Sequence, residues 1–329
     1  MQHTGNSGPT FSVIMPCYNS QAYVRGALES VLNQTWPHWE LVAVNDGSKD
    51  DTLNILKEYA AKDSRVRVYS KDNGGYVSAV NHGLDFVCGD YFLMMGSDDA
   101  LAPDLFENLA KAMDGKMPDC VAFRTEIIQD GVNLGVESIT DFSGDISGFD
   151  TDLAKFAGEY PAESEIFFTR DTSKCYRRTL LGDLRYFGRY GFDADGIFSM
   201  LLCHNASSFR VVPVTGYYWT LRGDSLSGRK SFYEQDCDRV VNWTRFYRIL
   251  LDRNKSLAET EKQYLHYFFG LIRTVARENT GIQDGILQDA VSAVREVARK
   301  EGYDLDLSKK DRLLLRHPLL WSRFSRFLG

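Results

Sequence analysis

Three things are scarce in this 329-residue sequence, and each scarcity excludes a class of function. Its six cysteines (Cys17, Cys88, Cys120, Cys175, Cys203, Cys237) are scattered without a CxxC. Neither a zinc site nor a disulfide framework is expected, and a reducing cytoplasm is the simpler home. No stretch approaches the roughly 18 to 20 uninterrupted apolar residues of a membrane span. Met1 to Thr10 reads as a polar leader, and no basic region followed by an apolar core marks a secretory signal. Positive charge is also short: 38 Lys and Arg face 45 Asp and Glu, a net charge of -7. A nucleic-acid partner is therefore not expected, because phosphate-backbone affinity needs a basic surplus. An anionic ligand must be held by a local site.

What is present is the composition of a large globular core, with 43% hydrophobic and 25% charged residues. From Phe11 short apolar runs alternate with amphipathic stretches, the pattern of strands and covering helices in an α/β sheet. Phe11 to Met15 predicts a buried strand stopped by Pro16, followed by helical spacing at Tyr23, Ala27 and Val31. Glu40 to Val44 predicts a second strand ending at Asn45-Asp46-Gly47-Ser48, with Ser48 as the cap of a helix through Leu53 and Leu56. Val66 to Tyr69 is a third strand. Asn73-Gly74-Gly75 then turns into a helix through Val80 and Leu84, and Tyr91 to Met95 is a fourth strand ending at Gly96-Ser97-Asp98-Asp99. Ligands of open α/β sheets sit beyond the carboxyl ends of strands. Three polar clusters fall there: Pro16 to Asn19, Asn45 to Ser48 and Ser97 to Asp99. An alternating strand (Val121, Phe123, Thr125, Ile127) and an Asp/Gly/Ser-rich loop follow, and helical spacing returns at Tyr264, Phe268, Leu271, Val275 and at Leu287, Val291, Val294, Ala298.

Two adjacent carboxylates after a buried strand suit a hard divalent cation shared with substrate phosphates. The alternative for Asp98 and Asp99 is capping of a helix near Pro103. Asn45-Asp46-Gly47-Ser48 is likewise good turn chemistry by itself. His38, His82, His204 and His266 have no metal-ligand spacing.

The succession Pro16-Cys17-Tyr18-Asn19, Asn45-Asp46-Gly47-Ser48, Asn73-Gly74-Gly75 with Asn81, and Ser97-Asp98-Asp99 resembles the family 2 inverting glycosyltransferases of GT-A fold, of the bacterial surface-polysaccharide type. Ser12 to Asn19 and Ser30-Val31-Leu32-Asn33-Gln34-Thr35 are especially close. The resemblance covers residues 11 to 110 strongly and 165 to 230 more weakly. It implies a mixed, mostly parallel α/β sheet with flanking helices, a helical C-terminal extension, and a cofactor of Mn2+ or Mg2+. It further implies that Tyr18 stacks near the nucleotide base, that Asp46 accepts a hydrogen bond from it, and that Asp99 holds the metal on the diphosphate with help from Asp98. Pro16, Asn19, Asn73 and Asn81 complete the nucleotide-sugar site. The sequence departs from the family at Asn45, where an Asp is usual, at Gly96, where an Asp often stands, and at Val80, where an Arg commonly precedes the helical Asn.

In the second half the family's Glu-Asp-x-x-Phe base motif corresponds to Ala194-Asp195-Gly196-Ile197-Phe198. Asp195 is thus the implied catalytic base, taking the acceptor hydroxyl proton as that oxygen attacks the anomeric carbon. Asp193 is the fallback, and helix capping is the bland alternative for either residue. Tyr217 to Ser227 resembles the family's Tyr-x-Tyr-Arg…Ser segment, in which Arg222 could neutralise the departing diphosphate or form a surface ion pair. Tyr217 and Trp219 read as core residues, with an acceptor-sugar platform the sharper reading of Tyr217. The absence of Gln-x-x-Arg-Trp disfavours a processive synthase.

These features divide the chain into a leader (1-10), a glycosyltransferase domain (11-230, its nucleotide-sugar half ending at 110 and its acceptor half beginning at 111) and a helical extension (231-329). After Pro318, the apolar residues Leu320, Trp321, Phe324, Phe327 and Leu328 share a helical face, and Lys309, Lys310, Arg312 and Arg316 precede them. This predicts a peripheral membrane contact on the cytoplasmic side, or packing on the domain or in a homo-oligomer. The expected activity is metal-dependent transfer of a single sugar, most simply from a UDP-sugar, to a carbohydrate or lipid-linked acceptor. The rivals are a sugar nucleotidyltransferase, which should carry a Gly-rich basic loop that Pro16 to Asn19 lacks, and an inactive sugar-binding relic.

Overall fold

Strand β1 (Phe11–Cys17) shows why two layers of helix are needed. Its residues alternate across the sheet: Phe11, Val13, Met15 and Cys17 join one apolar cluster, while Ile14 joins another on the opposite face. A strand buried on both faces must be covered on both. A computed structural model describes residues 8–113, 115–136, 171–188, 193–222, 233–253, 259–278, 284–302, 309–316 and 318.

Helix α1 (Val24–Leu32), β2 (Trp39–Asp46), α2 (Thr52–Lys62), β3 (Val66–Lys71), α3 (Tyr76–Leu84) and β4 (Tyr91–Met94) follow in turn, and β3, β2, β1 and β4 pair in parallel. The chain continues through β5 (Ala100–Leu101), α4 (Leu105–Met113), β6 (Cys120–Gln129), β7 (Val132–Val136), β8 (Lys174–Arg177), α5 (Ala194–Asn205) and β9 (Phe209–Leu221). Antiparallel β8 sits between β4 and β6, so the sheet runs β3-β2-β1-β4-β8-β6-β9-β5, with β7 on β6. This is the expected mixed α/β sheet.

Helices α1, α2 and α4 cover one face and α3 and α5 the other. Four further helices, α6 (Tyr233–Asp252), α7 (Glu259–Glu278), α8 (Asp284–Glu301) and α9 (Lys309–Arg316), follow β9 among the described residues. Helices α6, α7 and α8 each bury several apolar residues, for example Leu287, Val291, Val294 and Val297 of α8, and α9 buries Leu314. These α8 residues belong to the same cluster as α5 and the sheet residues Cys120, Ala122 and Tyr176. The helical extension therefore shares its core with the sheet instead of standing apart from it.

Ser48 does not cap α2. Its hydroxyl accepts the Asn19 N–H (3.1 Å), while the Asp50 carboxylate takes the Thr52 N–H (3.0 Å). The Asp/Gly/Ser-rich stretch from 137, residues 224–227 and the tail at 320–328 lie outside the described residues. Among the described residues no helix is long and apolar enough to cross a membrane.

Phe106 of α4 is fully buried, and its ring stacks on Phe11 at 4.8 Å. Phe106→Ala should remove about 3 to 5 kcal/mol, as truncation of a buried aromatic does. A urea midpoint within error of wild type would show that this contact does not hold α4 on the sheet.

Candidate active site

The carboxyl ends of β1 to β4 and the far end of β9 meet in one place. Asn19, at φ 50°, joins the first two ends: its N–H donates to Ser48 and its side-chain oxygen accepts the Lys49 N–H at 2.8 Å. Tyr18 beside it is 47% exposed, so its ring face is open. Pro16 lies in β1 opposite Val44, one step before these loops. The Ser20 and Ser97 hydroxyls, 2.7 Å apart, tie the β1 end to the β4 end.

Asp46 is 2% exposed and already well supplied with donors. Its carboxylate accepts Lys71 Nζ–H (2.8 Å), the Gly74 N–H (3.0 Å) and the Gly75 N–H (2.8 Å). The Asn73 side-chain amide donates to the Asp46 carbonyl at 3.0 Å. These bonds fasten the loop before α3 onto β2. Asn81 has a comparable task further along α3: its amide donates to the Tyr186 carbonyl (2.9 Å) and accepts the Tyr186 N–H (2.8 Å). Val80, where the family has a cation, is fully buried in the core.

Asp98 and Asp99 do not cap α4. Instead both are held by the end of β9. Tyr217 donates its hydroxyl to Asp99 Oδ2 at 2.6 Å and receives the Gly96 N–H at 2.9 Å, while Thr220 N–H donates to Asp99 Oδ1 at 2.8 Å. Arg222 grips Asp98 Oδ2 through Nε (2.9 Å) and Nη2 (2.7 Å), and its guanidinium lies 4.0 Å from the centre of the Tyr23 ring. Two guanidinium donors thus converge on one carboxylate oxygen in a partly buried pair, unlike the exposed ion pair that sequence alone allows. Gly96 makes the arrangement fit. A Cβ there would come within 2.4 Å of Asp99 Oδ2 and 2.9 Å of Asp98 Oδ1. The departure from the family's Asp at this position thus goes with two carboxylates folded back over the glycine.

Burial, and then the neighbouring Asp98 charge, push the Asp99 carboxyl up to about 7. Burial and the Asp98 charge likewise raise the Cys17 thiol well above its ordinary range. Among the described residues no group of three or more His, Cys, Asp or Glu converges to hold a metal unaided. The oxygen-only pair nonetheless fits a hard divalent cation that takes its other ligands from a diphosphate and water. Excess negative charge in a desolvated place is what such a cation offsets.

Asp195 lies in the first turn of α5 and is half-buried. Tyr76, at the start of α3, meets Tyr186 edge-on with ring centroids 6.2 Å apart, and the Tyr186 ring stacks on Phe198 of α5 at 4.2 Å; burial, and then neighbouring carboxylate charges, raise the Tyr76 phenol well above its ordinary range. These rings join the start of α3 to the helix that carries Asp195. Asp193 makes no side-chain cap to α5. It stands at φ 59° and ψ -1°, and its carboxylate accepts Trp243 Nε1–H at 2.9 Å.

Sequence reasoning missed Lys71, Tyr76 and the hydroxyl of Tyr217 as parts of this site. Tyr217 is fully buried and so is core, as expected, but its polar tip is aimed at Asp99. The signal available in the sequence is an aromatic carrying a hydroxyl at a position that reads as core, since a buried Tyr needs a partner.

A sequence profile described as glycosyl transferase family 2 matches residues 12–185. The hyaluronan synthase of Pasteurella multocida is 40% identical over 102 residues, which is 31% of this chain and 10% of that one. The minor teichoic acid biosynthesis protein GgaB of Bacillus subtilis is 43% identical over 107 residues, 32% of this chain and 12% of its own. The matched stretch therefore spans only about a tenth of either curated relative. Among solved structures, S. aureus TarS 1-349 in complex with UDP-GlcNAc has a TM-score of 0.68 at 24% identity, over 97% of this chain and 92% of that one. At that identity the likeness is one of fold.

The raised Asp99 carboxyl has a consequence for stability. Its folded value of about 7 lies above the ordinary carboxylate value, so the native state binds this proton more tightly than the unfolded chain does. The resulting stabilisation is full below about pH 4 and is lost as pH rises through about 7. Melting without added metal should fall between pH 5 and pH 8, and Asp99→Asn should flatten that slope. Parallel profiles for the two proteins would mean that Asp99 titrates normally.

Proposed function

The chain belongs to glycosyl transferase family 2, and from that premise we propose that it transfers a single sugar from a nucleotide-sugar, a UDP-sugar first among them, to a carbohydrate or lipid-linked acceptor with inversion at the anomeric carbon. One observation carries this reading: Asn81 of α3, the helix that follows the loop held by Asp46, clamps the Tyr186 backbone at 2.9 and 2.8 Å, and the Tyr186 ring stacks at 4.2 Å on Phe198, three residues beyond Asp195 in α5. A donor diphosphate at the strand ends and an acceptor at the start of α5 would then share a single cleft. The UDP-GlcNAc bound by S. aureus TarS supports the choice of donor. The names of the two curated relatives support a place in surface polysaccharide synthesis.

In this reading the exposed ring of Tyr18 stacks on the base. Asp46 holds the loop over it, and an imide N–H would take one of the lone pairs that Lys71 and the glycine amides leave. Asp99, with Asp98 beside it, would hold a divalent cation, which supplies charge compensation on the diphosphate. Arg222 brings a second positive charge to the same phosphates. Asp195 takes the proton of the acceptor hydroxyl as its oxygen bonds to the anomeric carbon and the carbon–oxygen bond to the diphosphate breaks on the opposite side. Asn73 and Asn81 act through the backbone they hold. Membrane attachment through the C-terminal stretch belongs to the same proposal, with packing in a homo-oligomer as the other use of that face.

Asp195→Asn keeps size but cannot accept the proton, so UDP release from UDP-GlcNAc with Mn2+ should fall about 10² to 10⁴-fold with UDP affinity nearly unchanged. Asp99→Ala should instead abolish the Mn2+ dependence of UDP binding in calorimetry. Unchanged turnover in the first variant would remove Asp195 as base, and an unchanged Mn2+ effect in the second would remove the metal assignment.

For the tail, truncation should begin at residue 319, because Leu314 of α9 is fully buried in the core. The truncated protein should no longer sediment with anionic liposomes. Equal sedimentation of both forms would exclude the membrane contact.

A further inference from the structure

Asp193 is a non-glycine residue in the left-handed region, where L side chains are strained by about 1 kcal/mol or more. Strain of this kind persists only when the surroundings over-determine it. The surroundings here are the helical extension. Asp193 Oδ2 accepts Trp243 Nε1–H of α6 at 2.9 Å and the Tyr267 hydroxyl of α7 at 3.3 Å, and Arg239 Nε lies 3.7 Å from Oδ1. Trp243 is 2% exposed and locked among the rings of Phe246, Tyr247, Tyr267 and Phe268, with centroids 5.6 to 6.5 Å away. Its N–H is therefore a fixed point.

A second, independent contact holds the other end of the segment that leads into α5. Gly188, at φ 98°, has its bare Cα against Asn242, whose amide atoms lie 2.5 Å from where a Cβ would be. Consecutive residues of α6, Asn242 and Trp243, thus touch positions 188 and 193. The Asp193 carbonyl then accepts the Ile197 N–H at 2.9 Å, which starts the turn that carries Asp195.

We infer that the helical extension is part of the active site, with Trp243 and Tyr267 acting through Asp193 as positioning residues that set where Asp195 stands. This deepens the proposed function and rests on Asp195 as the base. The relevant group is the hydrogen-bond acceptor at position 193, not its charge. Asparagine keeps an acceptor oxygen and tolerates the left-handed region, so it should substitute for Asp193 where alanine does not.

The test compares Asp193→Ala, Asp193→Asn, Trp243→Phe, the Asp193→Ala/Trp243→Phe double variant and Asp195→Asn, reading UDP release from UDP-GlcNAc with Mn2+. Asp193→Ala and Trp243→Phe should each lower kcat about tenfold to a hundredfold, the scale of a small misplacement of a reacting group. The donor KM should stay within about twofold, because the carboxyl ends of β1 to β4 are untouched. Asp193→Asn should recover most of kcat, and the double variant should be no worse than the poorer single one. Full activity in Asp193→Ala, failure of Asp193→Asn to recover, or additive losses would each overturn the inference.

Asp195→Asn separates the two readings. An inactive Asp195→Asn beside active Asp193→Ala and Trp243→Phe sinks only the positioning role; an active Asp195→Asn sinks the base itself. Amide hydrogen exchange over residues 194–200 gives an outcome that does not depend on turnover. It should quicken in Asp193→Ala and Trp243→Phe, return to wild type in Asp193→Asn, and stay unchanged over β1. No change in the first two variants would equally overturn the inference.

Discussion

Asp98 and Asp99 place two negative charges side by side at the rim of an apolar sheet, and much of the architecture answers that one electrostatic demand. Desolvation and mutual repulsion press the Asp99 carboxyl towards neutrality. The donors that oppose this, Tyr217 and Thr220 at the end of β9 and Arg222 just after it, come from some 120 residues further along the chain. Strand β9 reaches them because it lies between β6 and β5, with Tyr217 and Tyr218 in register with Leu101 and Ala100. The order of strands in the sheet is thereby a condition of the site.

The same logic binds α3 to α5. Asn81 of α3 clamps the backbone of Tyr186; the Tyr186 ring stacks on Phe198 of α5 at 4.2 Å, and its hydroxyl donates to buried Asp171. Asn81, expected from the sequence at the nucleotide-sugar site, is in the structure a tie between α3 and the segment before α5. Asp46 behaves similarly through the loop at 73–75. Buried polar side chains at strand ends are first obliged to satisfy backbone groups, and ligand contacts use what remains.

Much of the parallel half of the sheet was legible because its signals are local. Alternation in β1, the apolar run of β2 and the polar residues at strand ends each lie within a few positions of one another, and strand ends in such sheets face the ligand. Cap assignments failed where several polar side chains compete within one turn. Ser48, Asp50 and Asp51 all precede α2, and only packing against Asn19 and Gln21 divides the donors among them. Asp193 looked like a cap because it precedes a helix, but its carboxylate turns to α6 and α7.

By itself, then, the sequence determined the element types, the strand-end location of the polar clusters and the family to which residues 12–185 belong. Those properties depend on periodicity and on short motifs, which a linear chain displays directly. Only tertiary structure decided the partners of the buried charges: Arg222 with Asp98, Tyr217 with Asp99, Lys71 with Asp46 and Trp243 with Asp193. Each pairing joins residues at least 25 positions apart. Many donors and acceptors in the sequence are chemically eligible for such a bond, and hydrogen bonds act only over about 3 Å, so the fold alone selects which of them meet.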